Sequence, residues 1–310
     1  MKRPLLFLHV DVDNLWIGEK EWGVKPSGRY EIVYEQALPL FLELLSAAGL
    51  HVTFFMVGQD LGAQSCKAFC RAAQAAGHRF ANHTYSHPLN PARLDYREKV
   101  HEIQAAHDVL VEVSGSRPIG FRAPGYFLDD HMLGILMDMG YRYDSSVLPG
   151  VAVGLMQLYS WWTSPGSEKL FGQTRYLYAS RRPRLLGSGM RNEQSLIEFP
   201  ISVMPILRLP IHTTFAYLLG ETYLSAGLSL LRLSRGPHVY LFHAVDLLDL
   251  PEEASYLRAY YPALRIPLNQ RIRMISDILG RIKAHFSCVT TEEFVAEQGT
   301  VHIPGPSPLA

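Results

Sequence analysis

The sequence predicts an α/β protein built on a mainly parallel sheet, and three observations carry that expectation. Apolar, β-rich runs alternate with helical patterns along most of the 310 residues, as parallel strands joined by crossover helices require. Gly77 and Gly140 each close a helical stretch just before a strand, the place where a left-handed C-terminal residue is favoured. With 48% hydrophobic residues the chain can bury a large core, and its length suits either one α/β barrel with insertions or two ordinary domains.

The first strand is expected at Leu5–Val10. The preceding Lys2 and Arg3 give it the look of an export signal, but the apolar run ends at Asp11 with no small-residue cleavage site, so a buried strand and a cytoplasmic protein are expected. Further strands are expected at residues 51–57, 79–83, 120–123, 142–145, 196–201, 239–243 and 286–289, with helices between them. The clearest helix is Asp95–Val113, where Tyr96, Val100, Ile103, His107 and Leu110 recur at three and four residues and mark an inward stripe. Cys66 and Cys70 stand four apart in a helical stretch; with Cys288 as an odd third, they read as buried thiols of a reducing compartment.

Residues 150–191 break the rhythm and read as an insertion. Residues 1–303 are expected to form one domain and 304–310 a flexible, proline-rich tail. A membrane span needs about 18 uninterrupted apolar residues, and Gly220 and Glu221 interrupt the best candidate, Phe215–Leu233. The 29 basic and 29 acidic residues cancel, so no whole-molecule field draws the chain to nucleic acid, and no such partner is expected.

Asp11 and Asp13 end the first strand, where barrel enzymes place their catalytic groups, and two residues apart in a strand they share a face. By themselves they read as readily as a turn or a helix cap, a role that Asn14 reinforces. The stretch Asn82-His83-Thr84-Tyr85-Ser86-His87-Pro88 adds two imidazoles just after the third strand. If Thr84–His87 begins a helical turn, both rings face one way and can hold one divalent ion. With a carboxylate from the first strand this makes a two-His, one-Asp site that stays open to water and substrate.

Gly77-His78 followed by that histidine motif resembles the metal-binding motif of the polysaccharide deacetylase family, also called the NodB-homology or carbohydrate esterase 4 family. His9-Val10-Asp11-Val12-Asp13, Phe121-Arg122-Ala123-Pro124-Gly125-Tyr126 and Leu241-Phe242-His243 match its other pieces in order. The resemblance implies a distorted (β/α) barrel of about seven strands and a hydrolase that removes an acetyl or formyl group from an N-acylated amino sugar. It implies Asp13, His83 and His87 as ligands of a divalent metal ion, with zinc the default for such a donor set. Asp11 is implied as the general base and Arg122 as the charge partner that holds it. The backbone N–H of Tyr126 is implied as an oxyanion donor and His243 as the general acid for the departing amine.

One family feature, an Asp-Trp pair ahead of the late histidine, has no clear counterpart. Asp144 is a candidate pocket residue, and Asp246 follows His243 closely. His51, His78, His101, His107 and His212 lack ligand spacing and read as structural.

The insertion suggests the substrate. Its single acidic residue, Glu168, faces Lys169, Arg175, Arg181, Arg182, Arg184 and Arg191, interleaved with aromatics that include Trp161 and Trp162. Aromatics at headgroup level and arginines on phosphate suit a membrane interface, so Trp161, Trp162, Arg181, Arg182 and Arg184 are expected substrate contacts. His243-Ala244 strengthens a likeness to the branch of the family that deformylates an amino sugar linked to undecaprenyl phosphate. The expected substrate is therefore a lipid-linked amino sugar, met by peripheral contact with the inner face of the membrane. The alternatives are a deacetylase of soluble or cell-wall amino-sugar oligomers, a hydrolase of small cyclic amides on the same barrel, and an inactive carbohydrate-binding relative.

Overall fold

The computed structural model describes residues 3–154, 157–158, 172–187, 195–234 and 236–297. Strand β1 (Leu5–Val12) pairs with three neighbours in a mainly parallel sheet that has nine strands among the described residues. The others are β2 (Thr53–Met56), β3 (Arg79–Asn82), β4 (Gly120–Phe121), β5 (Tyr143–Asp144), β6 (Arg184–Leu186), β7 (Leu196–Glu198), β8 (His238–His243) and β9 (Ser287–Cys288). The order is β6-β7-β5-β4-β3-β2-β1-β8, with β9 pairing the start of β1. Among the described residues no pairing joins β6 to β8, and the sheet is a curled half-barrel.

Two details differ from the sequence expectation. Among the described residues the strands number nine rather than about seven, and the additional β6 lies inside the segment expected to be irregular, where it pairs antiparallel with β7. An Arg-Leu-Leu edge strand has no alternation long enough to register in sequence.

Helices α1 (Leu15–Trp22), α2 (Leu38–Ala48), α3 (Gln64–Ala75), α4 (Tyr96–Ser114), α5 (Asp130–Asp138), α6 (Thr213–Leu233), α7 (Leu268–His285) and α8 (Thr291–Glu297) connect or follow the strands. Helix α4 starts on a capping box, with Asp95 accepting from the Glu98 N–H and Glu98 accepting from the Asp95 N–H. Its stripe faces inward at Ile103, His107 and Leu110, but Tyr96, at the first turn, is 52% exposed. Cys66 and Cys70 are buried free thiols on one face of α3. Gly220 (φ 84°, ψ 177°) breaks the helical path inside α6, and among the described residues no helix is long and apolar enough to cross a membrane.

Strand alternation decides what reaches the site. Successive side chains point to opposite faces of a sheet. Leu6, Leu8, Val10 and Val12 of β1 join Phe54, Met56, Tyr240 and Phe242 in the core under the helices. Phe7 joins Phe55, Ala81, Val239 and Leu241 in a second core on the concave side. The concave face therefore carries His9, Asp11 and Asp13 after Phe7, His83 after Ala81, and His243 after Leu241. Gly120 lets the chain approach closely there, since a Cβ would stand 2.0 Å from the Tyr143 ring.

Candidate active site

Asp13, His83 and His87 converge at the C-terminal rim. Asp13 Oδ1 lies 3.5 Å from His83 Nε2 and 3.5 Å from His87 Nε2, and one ligand atom from each of the three falls within 4.8 Å of the others. The two rings meet edge to face at 5.1 Å between centroids. The expected helical turn is absent: Thr84 (φ 66°) and His87 (φ 45°) are left-handed, which is costly for residues with a side chain and persists only where surroundings enforce it. The enforcement comes from α4, where the Glu102 carboxylate accepts from the N–H groups of Tyr85 (3.0 Å) and Ser86 (2.8 Å) and from the Ser86 hydroxyl (2.6 Å).

The donor set fits a divalent cation. His83 Nδ1 lies 2.7 Å from the Arg122 carbonyl, which can only accept, so the ring proton sits on Nδ1. The Nε2 lone pair of neutral His83 then faces a carboxylate oxygen, an arrangement that repels unless a positive charge lies between them. Burial opposes a charged His83, but the neighbouring carboxylates of Asp13 and Asp11 prevail and raise its pKa. That attraction for a proton is what a metal ion would satisfy in its place.

Asp11 stands on the same face in a fixed setting. Arg122, fully buried, donates through Nη1 to Asp11 Oδ1 (2.5 Å), through Nε to the Ser145 carbonyl (2.8 Å), and through Nη2 to the Ser145 hydroxyl (2.8 Å) and His9 Nδ1 (2.7 Å). Its guanidinium carbon sits 4.1 Å from the Phe55 ring centroid. Because His9 Nδ1 accepts, its Nε2 carries the proton and donates to the Thr291 hydroxyl at 2.8 Å. Burial, with Arg122 adding to it, holds the His9 pKa well below the usual histidine range. His9 and Ser145 are thus parts of the site that sequence reasoning did not single out.

The remaining expected residues divide. His243 ends β8 in a capping box with Asp246, its backbone N–H donating to the Asp246 carboxylate at 2.9 Å. Burial pushes Asp246 up to about 6, against the opposing pull of His243 and Arg271. His212, read as merely structural, is buried with its ring 6.0 Å from that of His243.

The Tyr126 amide differs from expectation. In the tight turn Pro124–Tyr126, with Gly125 at φ 60° and Tyr126 at φ 62°, the Tyr126 N–H donates to the Ala123 carbonyl at 3.2 Å and is not a free donor. The Tyr126 phenol is held neutral chiefly by burial, with the charges of Asp11 and Asp13 raising its pKa further and Arg122 opposing them.

Asp144 is corrected from a pocket residue to a buried brace. It is fully buried and accepts from the Ser146 N–H (2.8 Å) and hydroxyl (2.6 Å), so it offers nothing to a substrate. Burial, and then the charge of Asp144, raises the Glu198 pKa well above the usual carboxylate range. Arg184 lies opposite Glu198 in the β6–β7 pairing and is half-buried there. Arg181 and Arg182 are exposed, and Trp161 and Trp162 lie outside the described residues.

Residues 29–143 match the family model for polysaccharide deacetylase, a stretch that contains His83, His87, Arg122 and Tyr126. The peptidoglycan deacetylase of Helicobacter pylori is 24% identical over 151 residues, 47% of this chain and 50% of that protein, so the match spans about half of the relative's length. Among solved structures, a Mycobacterium smegmatis protein assigned as a polysaccharide deacetylase superposes with a TM-score of 0.63 at 17% identity, covering 100% of this chain and 96% of the other. PuuE allantoinase gives 0.63 at 16% identity, covering 97% and 92%. At such identities the superpositions speak for the fold alone. On the matched sequence model, residues 29–143 of the chain are similar to the polysaccharide deacetylase family, and the whole chain shares a fold with the solved structures above.

Proposed function

We propose that this protein hydrolyses the N-acyl group of an amino sugar with the help of a divalent ion, zinc being the default. The observation that carries the reading is the Asp13–His83–His87 cluster with Asp11 and its Arg122 clamp on the same concave face. The family and the H. pylori relative support the same chemistry. A bound divalent ion supplies the positive charge that acidifies a coordinated water and polarises the acyl carbonyl.

Asp11, fixed at Oδ1 by Arg122, takes the proton of the attacking water. The water oxygen bonds to the acyl carbon and the carbon–nitrogen bond breaks. His243 delivers a proton to the leaving amine nitrogen, so a carboxylic acid and a free amino sugar result.

Chelation tests this directly. Metal-free protein should release no amine from N-acetylated chitooligosaccharides, zinc should restore release, and His87→Ala should lose both bound metal and turnover, read by mass spectrometry and elemental analysis. Undiminished turnover in metal-free protein would remove the reading.

A narrower reading makes the substrate lipid-linked. The Arg208 guanidinium holds the carbonyls of Leu177 (3.1 Å) and Ala179 (3.0 Å), which ties the Tyr178 loop to the turn that carries Ile206 and Leu207. Tyr178, Ile206 and Leu207 are 81%, 90% and 68% exposed, with Arg181 and Arg182 exposed nearby in sequence. Exposed apolar groups with a basic collar suit an anionic membrane surface. Replacing Ile206 and Leu207 by Asp, or Arg181 and Arg182 by Ala, should each weaken co-sedimentation with phosphatidylglycerol vesicles about tenfold or more. Unchanged partitioning, or turnover confined to soluble oligomers, would favour the soluble-substrate alternative.

A further inference from the structure

A cavity of about 290 Å³ shares no lining residue with the metal cluster or its clamp; Arg258, Arg265 and Arg271 line it together with one carboxylate, Asp249. Arg271, on the first turn of α7, is 2% exposed. Four of its five N–H groups are committed: Nε to the Ile266 carbonyl (2.9 Å), Nη1 to those of Asp246 (3.0 Å) and Val245 (3.3 Å), and Nη2 to that of Leu248 (2.8 Å). Every one of these acceptors is a neutral carbonyl. A buried charge is ordinarily paired with an opposite one, yet among the described residues Arg271 forms no ion pair, and neither do Arg258 and Arg265.

The other two guanidinium groups raise the positive charge further. Arg265, exposed, donates through Nε to the Arg258 carbonyl (3.2 Å) and through Nη2 to the Ala259 carbonyl, which leaves both Nη1 hydrogens and one on Nη2 for a ligand. Burial holds the Arg271 pKa below the usual arginine range against the pull of Asp246 and Asp249, and the charge of Arg258 acts with burial. Helix α7 starts at the cavity wall, with Pro267 as an N-cap that supplies no side-chain acceptor, so the positive end of its dipole adds to the same field. Leu250, Leu264, Ile266 and Leu268 complete the wall, and their apolar surface strengthens any charge pairing inside.

The chemistry that satisfies such a site is a compact oxyanion. Guanidinium forks match the paired oxygens of a phosphate, whereas a neutral sugar would leave the buried charge without a counter-ion and a cation would be repelled. We infer that this cavity is a second binding site of the protein, one that takes a phosphate-type oxyanion, free or as a monoester, on its three arginines. An anion there braces the guanidinium that holds the turn Ala244–Leu247 behind His243. The site does not depend on the amidase reading.

Calorimetric titration of the full-length protein with inorganic phosphate, at an ionic strength fixed with chloride, tests it. Arg258→Gln combined with Arg265→Gln should weaken phosphate about tenfold or more, the effect of losing charge-assisted hydrogen bonds, and Arg258→Gln alone should weaken it by less. His87→Ala should leave the affinity within about twofold, which separates this site from phosphate held by a metal at the cluster. Vesicles of phosphatidylcholine with a minor share of phosphatidic acid form the second arm: co-sedimentation lost in the double variant identifies a lipid headgroup as a source of the anion, and phosphate binding in solution identifies the free ion. The site is overturned if the wild type and the double variant agree in both arms, or if the only phosphate bound is lost in His87→Ala.

Discussion

The Asp11→Asn protein is expected to fold, to keep its metal, and to lose about 10²–10⁴ of its turnover, the contribution typical of a positioned general base. Asparagine preserves the carbonyl oxygen that accepts from Arg122, so the 2.5 Å contact has a neutral counterpart and the buried clamp is not emptied. What disappears is the basic oxygen. Asp13→Asn should behave differently, because Asp13 Oδ1 is the atom facing both histidine nitrogens. That variant should lose bound zinc as well as turnover. The pair is read by zinc stoichiometry beside kcat on one substrate; full activity in Asp11→Asn removes Asp11 as base, and loss of zinc there with retention in Asp13→Asn reverses the two roles.

Arg122→Ala is expected to cost about 3–5 kcal/mol of stability, the range for removing one partner of a buried ion pair. The side chain has no solvent exposure, and its loss strands Asp11, both oxygens of Ser145 and His9 Nδ1 at once. Arg122→Lys should recover little, because an ammonium cannot reproduce the planar fork that spans these acceptors. Urea unfolding with a shared m-value measures both variants. A loss below about 1 kcal/mol would be the figure for an exposed ion pair, and would mean the network is not closed in solution. Asp11→Asn provides the contrast, since it leaves most of the clamp intact.

Much of this site was legible in sequence because its groups sit at strand ends and strand alternation is local. Once Leu6, Leu8 and Val10 are assigned to the helix-covered face, His9, Asp11 and Asp13 must occupy the other. The spacing of His83 and His87 pointed to a shared candidate metal site, although the helical turn invoked to align them is a loop with two left-handed residues, braced by Glu102. Asp144 misled for a related reason: its position beside the rim was readable, but its burial depends on Glu198, on a strand 54 residues later. The edge strand β6 was missed because three residues within an irregular segment present no periodicity.

By itself the sequence determined the α/β class and which candidate groups share one face, because each of these follows from residue identity and short-range period. Only the tertiary structure decided how those groups are held. Arg122 reaches Asp11 across 111 residues, His9 meets Thr291 across 282, and Asp60 is joined to Asn14 across 46. Hydrogen bonds act over about 3 Å, whatever the separation along the chain, so the tautomer of His9 and the buried clamp on Asp11 exist only after folding brings distant segments together.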